Sequence, residues 1–326
     1  MLFMPRYALP ACNPSWPFTN PHFHQLFQVL RLRNTGYTPE RALFDDGYGL
    51  AYEVDFLLRR KTEGRELVAV VHGLAANTGV AHVQGMMGSL YNAGFDIAGL
   101  NLPGSTKAGY ASDKRYHFGY TDSLEHFITW AEEQKRWDRI HIVGFSLGGA
   151  ILINYLADCR IPASVGYGIA ISVPLDIEEF YSRIHQRQNR IYERAFILGM
   201  GWKELKAGKK GIIKKLASIK TLKEYDSVFT LPSTGYRTME EYAAAFSAGP
   251  KLQRIRRPLL LLNARDDTFL GPESFPAGKE LDSDYIYAAY PPMGSHCGFK
   301  QKFFSSRHFS EEIAAEFIKA PVYQTE

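Results

Sequence analysis

The sequence predicts an α/β fold with a mostly parallel central sheet, helices on both faces and a helical cap. Three observations predict it. Between Glu66 and Val173, short apolar runs alternate with helix-length amphipathic segments, which is the rhythm of βαβ units. That rhythm stops at Pro174, and residues 176–249 hold no strand-like run before it resumes at Arg257. The chain is 326 residues long and 45% hydrophobic, ample for a large core. The organisation expected is one domain over residues 1–326, with 176–249 inserted as a cap over the C-terminal edge of the sheet. That edge is where open α/β sheets bind ligands.

The elements follow in order. The first forty residues, rich in proline and aromatics, are expected to wrap the surface of the main domain. Glu66–Val71 (ELVAVV) reads as a buried strand, Val80–Ala93 as a helix and Phe95–Leu102 as the next strand. Thr121–Trp137 reads as a helix because Leu124, Phe127, Ile128 and Ala131 recur near helical spacing. Arg139–Gly144 is a strand, Gly148–Cys159 a helix and Ser164–Val173 a strand. Beyond the insertion, Arg257–Ala264 and Tyr285–Tyr290 complete the sheet.

Composition excludes several classes. The balance of 38 basic against 34 acidic residues gives a net charge of only +4, and no nucleic-acid-binding motif is present. Three cysteines, Cys12, Cys159 and Cys297, are too few and odd in number for a disulfide framework. The proline-broken N-terminus makes a poor signal peptide, and no apolar run approaches the ~18 residues that span a bilayer. The expectation is a soluble cytoplasmic protein. The sequence does not specify an oligomeric state.

The stretch Arg139–Leu152 (RIHIVGFSLGGAIL) carries the chemistry. Gly144-Phe145-Ser146-Leu147-Gly148 fits G-x-S-x-G between a predicted strand and a predicted helix, the setting of a nucleophile elbow. Such a serine sits in a strained conformation that lifts its hydroxyl clear of the sheet. A serine needs a base, and in this order the acid and then the histidine follow at the ends of later strands. Asn263-Ala264-Arg265-Asp266-Asp267 supplies two candidate acids, of which Asp267 is favoured and Asp266 remains open. Gly294-Ser295-His296-Cys297-Gly298 supplies His296 as base. Leu147 N–H, after the serine, is the expected first oxyanion donor, and Leu74 N–H, in His72-Gly73-Leu74, the second. His72 reads as a structural hydrogen-bonder.

These motifs resemble the YheT-like branch of the α/β-hydrolase superfamily, nearly end to end. The likeness is carried by Asn20-Pro21-His22, His72-Gly73-Leu74, Tyr116-His117-Phe118-Gly119, the elbow through Gly149, Thr221-Leu222-Lys223-Glu224-Tyr225-Asp226, Gly235-Tyr236, Tyr242, and the acid and histidine segments. The resemblance implies an α/β-hydrolase fold and a serine hydrolase of acyl esters needing no cofactor, with acyl-ester synthases among its relatives. The chain departs from the family at Pro103-Gly104-Ser105, Thr268, Ser295 and Ala75-Ala76-Asn77. These positions bear on substrate preference and on the shape of the oxyanion loop.

Other candidates are weaker. His22 and His24 form an H-x-H pair without further ligands at zinc spacing, so no metal is expected. Cys297 neighbours His296, but Ser146 already fills the nucleophile's role. Tyr192, Phe196, Ile197 and Met200 suit either an acyl pocket or packing within the cap. The cap also carries Lys203, Lys206, Lys209, Lys210, Lys214, Lys215, Lys220 and Lys223 among Trp202, Leu205, Ile212, Ile213, Leu216 and Ile219. This pattern fits a solvated helix face whose apolar side covers the site. It also fits peripheral contact with an anionic membrane. The expected reaction is ester cleavage through an acyl-enzyme. Acyl transfer on the same triad, or a non-catalytic binding role, are the alternatives.

Overall fold

The computed structural model describes residues 12–30, 36–46, 49–59, 65–107, 114–206, 208, 211–281, 283–305 and 307–320. Lys209 and Lys210 lie outside them. Among the described residues one sheet runs β1 (Glu40–Asp45), β2 (Ala51–Leu57), β4 (Asp96–Asn101), β3 (Glu66–Val71), β5 (Arg139–Phe145), β6 (Val165–Ile171), β7 (Leu259–Leu262) and β8 (Ile286–Ala289). β2 pairs antiparallel with β1 and β4, and all other pairings are parallel.

The parallel strands are apolar almost throughout because helices cover both faces. In β3, Leu67, Ala69 and Val71 face one core, while Val68 and Val70 face the other. Helices α3 (Asp122–Glu133) and α4 (Leu147–Asp158) pack into the first core. Helices α2 (Ala81–Ala93) and α10 (Phe309–Lys319) pack into the second. Between β6 and β7 lie α5 (Ile177–Ile184), α6 (Arg190–Lys206), α7 (Ile212–Ser218), α8 (Leu222–Phe229) and α9 (Met239–Phe246). Asp176 caps α5, and Thr221 and Thr238 form capping boxes with Glu224 and Glu241 on α8 and α9.

Register positions the site. Val71 lies opposite Gly144, Phe145 opposite Ile171, Ile171 opposite Leu262 and Leu262 opposite Ala289. The loops after β3, β5, β6, β7 and β8 therefore emerge side by side on one edge.

Two expectations need correction. The helix expected over Thr121–Trp137 ends at Glu133. Lys135 turns left-handed (φ 48), and Trp137 is drawn into the core, where its Nε1–H donates to Asp96 Oδ2 at 2.8 Å. The N-terminal region does more than wrap the surface: Pro21–Leu30 forms helix α1, and His24 is fully buried. The β1–β2 hairpin and α10 were not anticipated.

Candidate active site

Ser146 ends β5 and opens α4 with φ 52 and ψ −119. A non-glycine residue at positive φ is costly and persists only where the surroundings impose it. They do so here by close packing. A Cβ on Gly144 would lie 2.3 Å from Gly148 O, and one on Gly148 would lie 2.5 Å from both Val71 O and His72 O. Only glycine lets β5, α4 and the end of β3 approach this closely.

The structure brings the three sequence-derived residues together. Ser146 Oγ lies 3.0 Å from His296 Nε2, and His296 Nδ1 lies 2.8 Å from Asp267 Oδ2. Asp267 Oδ1 also accepts the Phe269 N–H at 2.9 Å. Burial works against a charged imidazole, but the adjoining Asp267 carboxylate prevails and raises the His296 pKa above its ordinary value. Asp266 faces elsewhere: its Oδ1 accepts the N–H groups of Gly294 and Ser295, each at 2.8 Å. The two acids thus divide the work, one on the imidazole and one on the loop that carries it.

That loop is strained and heavily braced. Ser295, Cys297 and Phe299 all take positive φ, at 54, 59 and 50. Ser295 Oγ donates to Pro21 O, Cys297 N–H to Ser172 Oγ, and Gln28 Nε2 to Cys297 O. His24 Nε2 accepts the Lys300 N–H at 2.8 Å. Both members of the H-x-H pair make protein contacts. His24 holds the loop, while His22 stacks on Tyr192 of α6 at 5.9 Å. Cys297 is buried. Sequence reasoning missed Ser172, Gln28 and the bracing role of His24, although the Asn-Pro-His stretch marked the region.

Two more groups close on His296. Phe269 packs its ring 4.5 Å from the imidazole, backed by Tyr192 and Phe196. His82 on α2 packs 4.9 Å from Phe145. Burial and the neighbouring His296 push the His82 pKa down to about 3.

The loop after β3 flanks the serine, with a Cβ on Gly73 falling 3.2 Å from Ser146 Cβ. His72 fixes it: one ring nitrogen, Nε2, accepts the Leu102 N–H at 3.1 Å, so Nδ1–H donates to Gly73 O at 2.8 Å. Burial lowers the His72 pKa to about 3, which keeps it neutral for this task. Among the described residues, the N–H groups of Leu74 and Leu147 meet no protein acceptor.

A cavity of about 50 Å³ opens beside these two leucines, lined also by Tyr116, Met200, Lys203 and Asp226. Burial pushes the Lys203 ammonium down to about 8. Asp226 is raised by burial while accepting from Tyr181 Oη and Thr230 Oγ1, both at 2.6 Å. Arg115 and Glu204 form a two-pronged ion pair in the wall, at 2.6 and 3.1 Å. Of the residues considered for an acyl pocket, Met200 lines this cavity, and Tyr192 and Phe196 stand over His296 through Phe269. Among the described residues no group of three His, Cys, Asp or Glu side chains could hold a metal ion.

A family described as the alpha/beta hydrolase fold matches residues 66–284. The chain belongs to the alpha/beta hydrolase fold family. Within it this hydrolase-fold chain is YheT-like. It is 24% identical over 296 residues to a candidate esterase, YheT, of Escherichia coli (strain K12), covering 88% of this chain and 86% of that one. It is 24% identical over 270 residues to a monoacylglycerol lipase of Saccharomyces cerevisiae, covering 79% of this chain and 60% of that one. A medium-chain fatty acid ethyl ester synthase/esterase of the same yeast is 24% identical over 282 residues, covering 77% of this chain and 61% of that one. Among solved structures, the Pyrococcus furiosus esterase Pf2001 superposes with a TM-score of 0.56 over 95% of this chain and 98% of its own, at 14% identity. At that identity the likeness speaks for the fold alone.

Proposed function

We propose that the chain is a serine hydrolase of carboxylic (acyl) esters. The observation that carries this reading is the unbroken hydrogen-bonded line Asp267–His296–Ser146, ending on a serine held at positive φ. In this reading Ser146 Oγ attacks the ester carbonyl carbon as His296 Nε2 takes its proton. Asp267 orients the ring and stabilises the imidazolium that forms. Leu74 and Leu147 N–H groups receive the oxyanion. The tetrahedral intermediate collapses, His296 gives the proton to the leaving alcohol, and water then resolves the acyl-enzyme by the same route in reverse roles. The site's location at the C-terminal sheet edge, beneath residues 176–249, supports treating those helices as a cap on one catalytic domain. The yeast relative named as a synthase/esterase favours a second reading, in which an alcohol replaces water as acyl acceptor.

The outward face of α6 and α7 supports work at a lipid surface. Ile191, Leu198, Trp202 and Ile213 are exposed, at 59% or more each. The apolar residues of the segment divide: Ile212, Leu216 and Ile219 pack inward, as a covering face would, while Trp202 and Ile213 stay outside. Both acids of α6 turn inward: Glu193 to His185 and the Leu222 N–H, Glu204 to Arg115. Arg190, Arg194, Lys206, Lys214 and Lys215 are exposed around the apolar residues. Lys223 is spent on Glu178 and Glu240. Among the described residues no helix is long and apolar enough to cross a membrane, so the contact proposed is peripheral.

The test is hydrolysis of p-nitrophenyl esters together with labelling by an organophosphonate. Wild type should turn over esters and be labelled, and Ser146→Ala should do neither while keeping its circular dichroism spectrum. Turnover by Ser146→Ala would sink the mechanism. A folded wild type that is never labelled would point to a binding protein. New ester product on adding an alcohol would favour acyl transfer.

A further inference from the structure

A buried cation without a counter-charge is costly, and it persists where a ligand supplies the missing charge. Lys203, part-buried in the cavity wall, approaches this condition. Its Nζ reaches no closer protein partner than the Ala76 carbonyl, at 3.5 Å, and stands 5.9 Å from the Tyr116 ring centroid. Among the described residues no carboxylate lies within salt-bridge reach of it, whereas its neighbour Glu204 is already occupied by Arg115. Asp226, in the same cavity, is occupied by two hydroxyl donors. Tyr116 adds a second unmet group: its hydroxyl oxygen is fully buried, with the Ala75 N–H as its backbone neighbour, and its O–H finds no acceptor. Both side chains line the cavity next to Leu74 and Leu147. An ammonium and a free hydroxyl converging there match an anionic oxygen group, because one supplies charge and the other a directed O–H donor.

We propose that Lys203 and Tyr116 form an anion-binding subsite that takes a carboxylate or phosphate carried by the ester substrate. This deepens the serine-hydrolase reading and rests on it for the word substrate, but the binding itself can be tested without turnover. A purely structural Lys203, tethering the loop at Ala76, would be replaced only at a loss of stability. A ligand-binding Lys203 is a local burden, so Lys203→Met should keep or raise the melting temperature.

The probes are hexyl phosphate, hexanoate and hexanol, used as competitors of p-nitrophenyl butyrate hydrolysis and as thermal-shift ligands. In wild type the anions should inhibit at least tenfold more strongly than hexanol, and the stronger anion should raise Tm. Lys203→Met should weaken the anions at least tenfold relative to hexanol and abolish that Tm rise, while Lys203→Arg should retain most of both. Tyr116→Phe, which deletes only the hydroxyl, should weaken the anions several-fold. Preference for hexyl phosphate would name phosphate as the group, and preference for hexanoate would name carboxylate. Equal inhibition by hexanol and the anions in wild type would overturn the proposal. So would unchanged anion affinity in Lys203→Met, or a marked loss of its stability. Should wild type hydrolyse no ester, the hydrolase reading fails, and the thermal shift alone decides the subsite.

Discussion

Replacing each of the two adjacent acids by its amide separates their roles. Asp267 Oδ2 receives the His296 Nδ1 proton at 2.8 Å, while Oδ1 is held by the Phe269 N–H at 2.9 Å. In Asp267→Asn the amide oxygen keeps the Phe269 N–H, which turns the NH₂ towards Nδ1. Two donors cannot face each other, so the ring adopts the other tautomer and Nε2 carries a proton where it must accept one. Loss of this role costs about 10⁴ in turnover, or about 5.5 kcal/mol of transition-state stabilisation. Asp266→Asn keeps an acceptor oxygen for Gly294 and Ser295 and loses only charge assistance on two bonds. That is worth about 2 kcal/mol of stability and less than about tenfold in rate, because the imidazole contacts survive. The pH profile adds a sign. His296 must be neutral to accept the Ser146 proton, so kcat/KM rises with pH through its pKa. Asp267 raises that pKa, which puts the wild-type limb above the ordinary histidine value and moves the residual limb of Asp267→Asn to lower pH. The assay is kcat/KM for p-nitrophenyl butyrate across pH, with circular dichroism on each variant. Equal losses, or a larger loss in folded Asp266→Asn, would refute the division of roles.

Gly148→Ala forces a Cβ to 2.5 Å from two backbone carbonyls and should cost about 3 kcal/mol, read as a lower Tm. Gly199→Ala in α6, where a Cβ finds only Ala75 at 3.7 Å, should instead gain up to about 1 kcal/mol. The α6–α7 face should sediment the protein with phosphatidylserine-containing vesicles and not with pure phosphatidylcholine. Each basic residue near the surface contributes about 1 kcal/mol, so salt should release it. Trp202→Ser with Ile213→Ser should weaken that binding at least tenfold, and retention would remove the membrane reading.

What was legible in the sequence was what is local. The elbow showed itself because close approach of β5 and α4 demands glycines at fixed offsets from Ser146. Chain order then pointed to Asp267 and His296, which lie in line with Ser146, since parallel strands deliver their following loops to one edge. The choice between Asp266 and Asp267 was not local, because it depends on which carboxylate the loop turn aims at an imidazole 29 residues on. The bracing by Pro21, His24 and Gln28 was hidden for the same reason: its partners are up to 276 residues away. The inserted helices were read as amphipathic, but periodicity alone could not tell which apolar residues face inward. Met200 turns in while Leu198 and Trp202 turn out, on a helix whose inner side meets Leu216 at Gly201 and Phe269 at Phe196, both from other segments.

The proposed anion subsite and the proposed oxyanion loop share structure. The loop that presents Leu74 is held at one end by His72, which spans Gly73 O and the Leu102 N–H. At its other end Asn101 Oδ1 accepts the Thr78 N–H at 3.0 Å, and Asp55 takes the Thr78 hydroxyl. Tyr116 packs edge-on against the His72 ring at 5.6 Å, and Lys203 reaches from α6 to Ala76 within the loop. The two side chains assigned to an anion are therefore the same two that rest on the oxyanion loop. An anion drawing on Lys203 and Tyr116 would steady the Leu74 donor at the moment charge develops on the carbonyl oxygen. On that proposal, binding energy realised on the loop would lower the barrier rather than merely tighten the ground-state complex. If both proposals hold, the inserted helices would bear on which ester enters and on how its oxyanion is held.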